Sequence, residues 1–241
     1  MTVLALRRTT AALAVATATA VGLVVGVPAY AVTPAAKLRA VSQVELSADT
    51  DACSIVGTGA AKVAGATVPT SGTRSFTAKT SSSGTAVGNV DASDTVTLNG
   101  TGTVAGTVRG SGGAFSSMTA KMSGTATITQ ALPDTACKPA SAVTTFAAVV
   151  AHVRKRGRIV LTMSVSGGGY GGIGMQRGSD FGSGVAVVSQ LRRGSYTVSY
   201  PVRPGDYSIE VAMMAVASEL APYLTLHASA AATFTATFKA S

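Results

Sequence analysis

The stretch Leu224–Phe238, LTLHASAAATFTATF, puts Leu224, Leu226, Ala228, Ala230, Ala232, Phe234, Ala236 and Phe238 on one parity, with His227, Ser229, Thr233, Thr235 and Thr237 on the other. Strict alternation of this kind is the mark of a strand with one buried face, because successive side chains of extended backbone point to opposite sides. Fifteen residues are long for one strand, so a bend, bulge or turn is expected to divide the run. His227 falls on the polar parity and reads as a surface residue.

The same alternation recurs upstream. Val96, Leu98, Val104 and Val108 share a parity, as do Met118, Ala120, Met122, Ala126 and Ile128, and then Tyr196, Val198 and Tyr200. Val68-Pro69, Ser81–Gly84, Asn99-Gly100, Gly110–Gly113 and Pro204–Asp206 punctuate these runs. Many short strands separated by Gly-bearing turns predict an all-β chain, an antiparallel sandwich or barrel. Its 32 Thr and abundant Val suit a pleated surface. Two segments also carry helical features, Ser141–Arg156 and Ala212–Ala221. For the first, Thr144, Thr145, Val149, Val150 and Val153 favour a hairpin, Val143–Val153 returning as Arg158–Val165 across Lys155-Arg156-Gly157. For the second, strand and helix are evenly matched. Arg193–Val198 and Pro204–Ile209 repeat a Gly-polar-Tyr-polar-apolar device that reads as a turn delivering an aromatic ring into the core.

Arg7 and Arg8 precede an apolar run from Ala11 to Val27, followed by Pro28 and Ala29-Tyr30-Ala31. Residues 1–31 therefore read as a secretory signal peptide cleaved after Ala31. An uncleaved anchor is the rival reading, and no later stretch is long enough to span a membrane. In an oxidising compartment the two cysteines, Cys53 and Cys137, are expected to form a disulfide. Such a bridge would close an N-terminal β domain over 32–140, leaving 141–241 as a second sandwich-like domain. A single larger domain is the alternative.

Charged residues make up 12% of the chain, about half the usual share, which excludes a charged disordered tail or a coiled coil. The net charge is nonetheless +9. The one dense cluster, Arg154, Lys155, Arg156 and Arg158, reads either as an anion-binding patch or as a solvated turn. Without interleaved aromatics it makes a poor nucleic-acid platform, and no nucleic acid is expected. The segment Gly167–Gly184 holds nine glycines. It reads either as a binding loop presenting Tyr170, Arg177, Asp180 and Phe181 or as a plain long connection.

No nucleophile-elbow or phosphate-loop motif occurs, so no catalytic residue and no cofactor is assigned. A serine triad would have to recruit His152 or His227. Asp49 with Asp51, or Asn89 with Asp91 and Asp94, could ligate calcium, but their spacing does not match the EF-hand loop, Asx-rich turns look the same without metal, and no metal site is assigned. These features predict a secreted, non-catalytic β-sandwich protein, a binding or structural module of the bacterial cell envelope or of the extracellular space. Its expected partner is an anionic cell-wall polymer or another extracellular protein. The alternative is a small secreted hydrolase or a proteinaceous enzyme inhibitor.

Overall fold

The computed structural model describes residues 38–48, 53–89, 95–130, 138–179, 188–218 and 226–241. Every described regular element is a strand: β1 (Leu38–Ser47), β2 (Cys53–Val56), β3 (Ala60–Ala66), β4 (Gly72–Gly88), β5 (Thr95–Ser111), β6 (Ala114–Gln130), β7 (Ala140–Val153), β8 (Gly157–Gly167), β9 (Tyr170–Arg177), β10 (Val188–Leu191), β11 (Gly194–Val202), β12 (Gly205–Ser218) and β13 (His227–Ala240). They form two antiparallel sheets. One runs β10-β9-β12-β7-β1-β3 and the other β11-β8-β13-β6-β5-β4-β2. The sheets pack face to face, β1 over β4 and β5, β7 over β5 and β6, β12 over β6 and β13. The all-β expectation therefore holds, and the parity rule fixes which side chains enter the core. Phe234, Ala236, Met118, Met122, Val104 and Val108 point inward with Ile209, Val211 and Met213 from the facing sheet.

Several expectations are corrected. Two separate units meeting near residue 140 would keep their pairing on either side of that point. Instead β1 pairs with β7 along Leu38–Ser47, and β6 pairs with β13. Both halves contribute to both sheets and to one core cluster. The hairpin across Lys155-Arg156-Gly157 is likewise absent. β7 bonds to β1 and β12, whereas β8 bonds to β11 and β13, so the turn carries the chain from one sheet to the other. β13 pairs with β6 from His227 to Thr237 and with β8 from Ala230 to Ala240 with no register break, so nothing divides it over these residues. The part of Ala212–Ala221 up to Ser218 is strand, and Tyr170–Arg177, within the expected glycine loop, is strand too.

The glycines explain the unexpected strand lengths. Ser81–Gly84 and Asn99-Gly100 do not break the chain, because β4 and β5 each run 17 residues straight through them. Gly100 and Gly102 lie on the buried parity of β5, and Gly124 lies beside them on β6. A Cβ at these positions would come 3.1, 2.8 and 3.0 Å from the methyls of Val143 on β7. The three positions thus form a hollow that receives Val143, and glycine serves there for close approach rather than for turning.

The repeated tyrosine device has a clear structural role. Gly194 and Gly205 adopt φ of 150° and 143° at the starts of β11 and β12. The Tyr196 hydroxyl donates to the Arg192 carbonyl at 3.0 Å, and the Tyr207 hydroxyl to the Arg203 carbonyl at 3.0 Å. The Arg203 amide also donates to Tyr207 Oη. Each ring packs on the core while its hydroxyl ties down the backbone four residues upstream, an arrangement that fixes a sandwich corner.

Cys53 is buried at the start of β2 and is not a free thiol. Cys137 and the leader residues 1–31 lie outside the described residues. No helix among the described residues is long and apolar enough to cross a membrane.

Two stability effects follow. Gly100→Ala would bring its Cβ to 2.4 Å from Val44 Cγ1, and should cost about 1–3 kcal/mol in urea denaturation. Adding Val44→Ala should recover part of that loss in a double-mutant cycle. Tyr207→Phe removes two backbone hydrogen bonds and should cost roughly 1 kcal/mol or more, exceeding the cost of Tyr196→Phe at its more exposed corner.

Candidate functional site

The basic residues that look scattered in sequence converge in space. The end of the sandwich where β7 passes to β8 also holds the β5–β6 turn, the β11–β12 turn, the start of β4 and the ends of β9 and β13. Arg154, Lys155, Arg156 and Arg158 of the predicted cluster stand there exposed. Exposed Arg74, Arg109, Arg177, Arg203 and Lys239 join them. The link between these positions is strand register, so a linear reading picks up the run at 154–158, assigns Arg177 to a separate loop and joins none of these five to the run. The only available signal was that each of the five lies beside a turn or a strand end.

These cations are positioned, not merely present. The Arg154 guanidinium lies over the Gly112-Gly113 turn, 2.8 Å from where a Gly113 Cβ would sit. Arg158 Nε donates to Ser199 Oγ at 2.9 Å, and Arg74 Nη1 to Thr67 Oγ1 at 3.2 Å. The Ser241 amide donates to the Arg156 carbonyl, tying the chain end to the turn. Between the β5–β6 and β7–β8 turns opens a cleft of about 410 Å³, with Phe115 and Phe238 as its apolar lining and Arg154, Lys155, Ser111 and Ser116 as its polar groups. Such a cleft suits an anionic group carried on an aliphatic or polyol stem, since charge and apolar contact are offered side by side.

At this end Asp206 is the one acidic side chain among the described residues. Its Oδ1 accepts a 2.7 Å hydrogen bond from His152 Nδ1. Asp206 is therefore engaged with the imidazole rather than with an arginine, and its one negative charge leaves the nine surrounding cations in large excess. The same pair bears on the hydrolase alternative. His152 has a carboxylate partner, but no serine joins it among the described hydrogen bonds, and both side chains stand open on the sheet, 48% and 38% exposed. A charge-relay geometry requires a nucleophile at the other ring nitrogen. His227 is exposed at the start of β13, as its parity predicts.

Two of the four residues of the predicted loop site, Tyr170 and Arg177, lie among the described residues. Tyr170 and Arg177 begin and end β9, so about 23 Å of extended strand separates them. Tyr170 stacks under the Arg192 guanidinium, 5.5 Å from its ring centre, and Arg177 belongs to the basic end. Asp180 and Phe181 lie outside the described residues, as do Asp49, Asp51, Asp91 and Asp94. Asn89 accepts a hydrogen bond from Ser54 Oγ at 2.8 Å. Among the described residues no group of three His, Cys, Asp or Glu side chains could hold a metal.

No protein-family profile matches this chain, and no curated protein matches it as a relative.

One carboxyl shows a shift with a physical consequence. Burial on β1 pushes the Glu45 carboxyl above its ordinary value of 4.5, even though Gln43 Nε2 donates a hydrogen bond to it. A carboxyl held protonated to higher pH in the fold than in the unfolded chain stabilises at low pH. That contribution is lost as pH rises through the raised value. Glu45→Gln should accordingly flatten the fall in denaturation midpoint above about pH 4.5, while leaving the midpoint at lower pH nearly unchanged.

Proposed function

We propose that this protein is an exported, non-catalytic binding module of the bacterial cell envelope, and that its basic end meets an anionic polymer of the cell wall. The observation that carries this reading is the convergence of nine exposed Arg and Lys side chains from six connections and strand ends around one cleft, with the single described carboxylate there already bonded to His152. Export rests on the leader pattern at 1–31. A polymer is favoured over a small anion because the cations are spread over the whole end of the sandwich, where a repeating charge can engage several at once. Nucleic acid is disfavoured because no aromatic platform accompanies the charge; the cleft's Phe115 and Phe238 belong to the packed interior and its margin.

Pairing of Cys53 with Cys137 belongs to the same reading. In the chain-entropy picture a bridge across so long a loop contributes roughly 4–5 kcal/mol, suited to a protein that works outside the cell. Reduction should lower the free energy of unfolding by an amount of that order, and Cys53→Ala should abolish the response.

Cosedimentation with isolated cell-wall fractions tests the function. The protein should be retained at low salt and released as ionic strength rises. A combined Arg154→Ala, Lys155→Ala and Arg156→Ala variant should lose roughly tenfold or more in affinity with an unchanged melting temperature, because these side chains are exposed. Absence of salt-dependent retention, or full retention by the triple variant, argues against the assignment.

A further inference from the structure

The outward face of the seven-stranded sheet has an unusual composition. Pairing register aligns Thr197, Thr162, Thr235, Thr119, Thr107 and Ser75 in one line across β11, β8, β13, β6, β5 and β4. Adjacent ranks, two residues away along the strands, are again mostly Ser and Thr. The hydroxyls therefore form a grid with about 4.8 Å between strands and roughly 6.7 Å between ranks. Some are already oriented by one another. Thr107 and Thr119 share a 2.9 Å hydrogen bond, Thr162 and Thr197 one of 3.2 Å, and Ser195 donates to Ser164 at 3.1 Å.

Solvation alone does not demand this selection. An ordinary exposed sheet mixes charges of both signs. Here the described outward residues of these six strands include no Asp or Glu and no Phe or Tyr, and the charges are all positive: Lys79, Lys121, Arg109, Arg158 and Lys239. The small side chain of Ala231 also leaves a hollow of about 250 Å³ in the grid, bordered by Lys121, Ser164, Ser166 and Thr233. Lys121 stands about 13 Å along β6 from the rank containing Arg109, so the cations lead from the basic end onto the face.

We infer that this face binds a polyol-phosphate polymer, its hydroxyls exchanging hydrogen bonds with the polyol and Lys121 holding a phosphate at the Ala231 hollow. The inference rests on the reading of the protein as an anionic-polymer module and specifies the polymer's chemistry. Phosphate answers the uniformly positive charge, and the polyol answers the hydroxyl grid. Flat sugar rings and nucleobases both gain from stacking on aromatic side chains, which this face does not offer among the described residues. An acyclic polyol needs none.

The test compares full-chain binding to poly(glycerol phosphate), to inorganic polyphosphate of matched charge and to a neutral glucan, at one fixed salt concentration. The wild type should prefer poly(glycerol phosphate) over polyphosphate by about tenfold. Thr119→Val with Thr235→Val, which keeps the β-branched shape, should erase that preference and leave polyphosphate binding unchanged. Lys121→Gln should weaken poly(glycerol phosphate) several-fold, providing an independent readout should the threonine variant fold poorly. Equal affinity for the two phosphate polymers, an undiminished preference in both variants, tighter binding of the glucan, or partition of the wild type into growing ice would overturn the inference. Binding to neither phosphate polymer would overturn the parent reading with it, whereas equal binding to both removes only this specification.

Discussion

The seating of Val143 in a glycine hollow sets the distance between the two sheets at the middle of the molecule. Gly100, Gly102 and Gly124 bring backbone where side chains would otherwise stand, and Val143 with Val44 fills the space. Interiors are packed to near-crystalline density, so this contact fixes how the rest of each sheet meets its neighbour. On one side of it lies the large cluster around Phe234, Met118 and Ile209, and on the other the smaller one around Leu98, Ile128 and Cys53. The long β4, β5 and β6 traverse both clusters because nothing at the hollow interrupts their backbone ladder.

Much of the architecture was legible residue by residue. Alternation in Val96–Val108, Met118–Ile128 and Ala228–Phe238 marked both the strand state and the inward face correctly, since a period of two leaves little choice once one face is buried. The Gly-polar-Tyr device also kept its reading, because Gly194 and Gly205 open strands and the rings reach the core. What misled was glycine. In Gly100 and Gly84 the residue that usually signals a turn serves instead to admit a side chain from the opposite sheet, Val44 in one case and Leu46 in the other. A linear sequence does not reveal which facing residue will press on a strand.

The candidate site illustrates the same limit. Arg154–Arg158 announced itself as a run, but Arg74, Arg109, Arg203 and Lys239 are each solitary in sequence and become neighbours through crossings between sheets. The hydroxyl grid is hidden for a related reason. Thr119 and Thr235 look like ordinary outward residues of amphipathic strands until register places them side by side. Charge and hydroxyl patterns that depend on pairing partners far along the chain emerge only with topology.

The position of β13 carries a consequence for how the chain reaches this form. It is last in chain order, yet it lies between β8 and β6 inside the seven-stranded sheet. Until those residues arrive, β6 and β8 have no strand to join them, and the earlier strands hold two incomplete ribbons with open edges. Assembly thus waits on contacts between segments far apart along the polypeptide, which makes for slow closure. Until β13 inserts, the facing edges of β6 and β8 expose unpaired N–H and C=O groups, so each ribbon is a template for pairing with another chain, and closure of the sheet removes both templates at once.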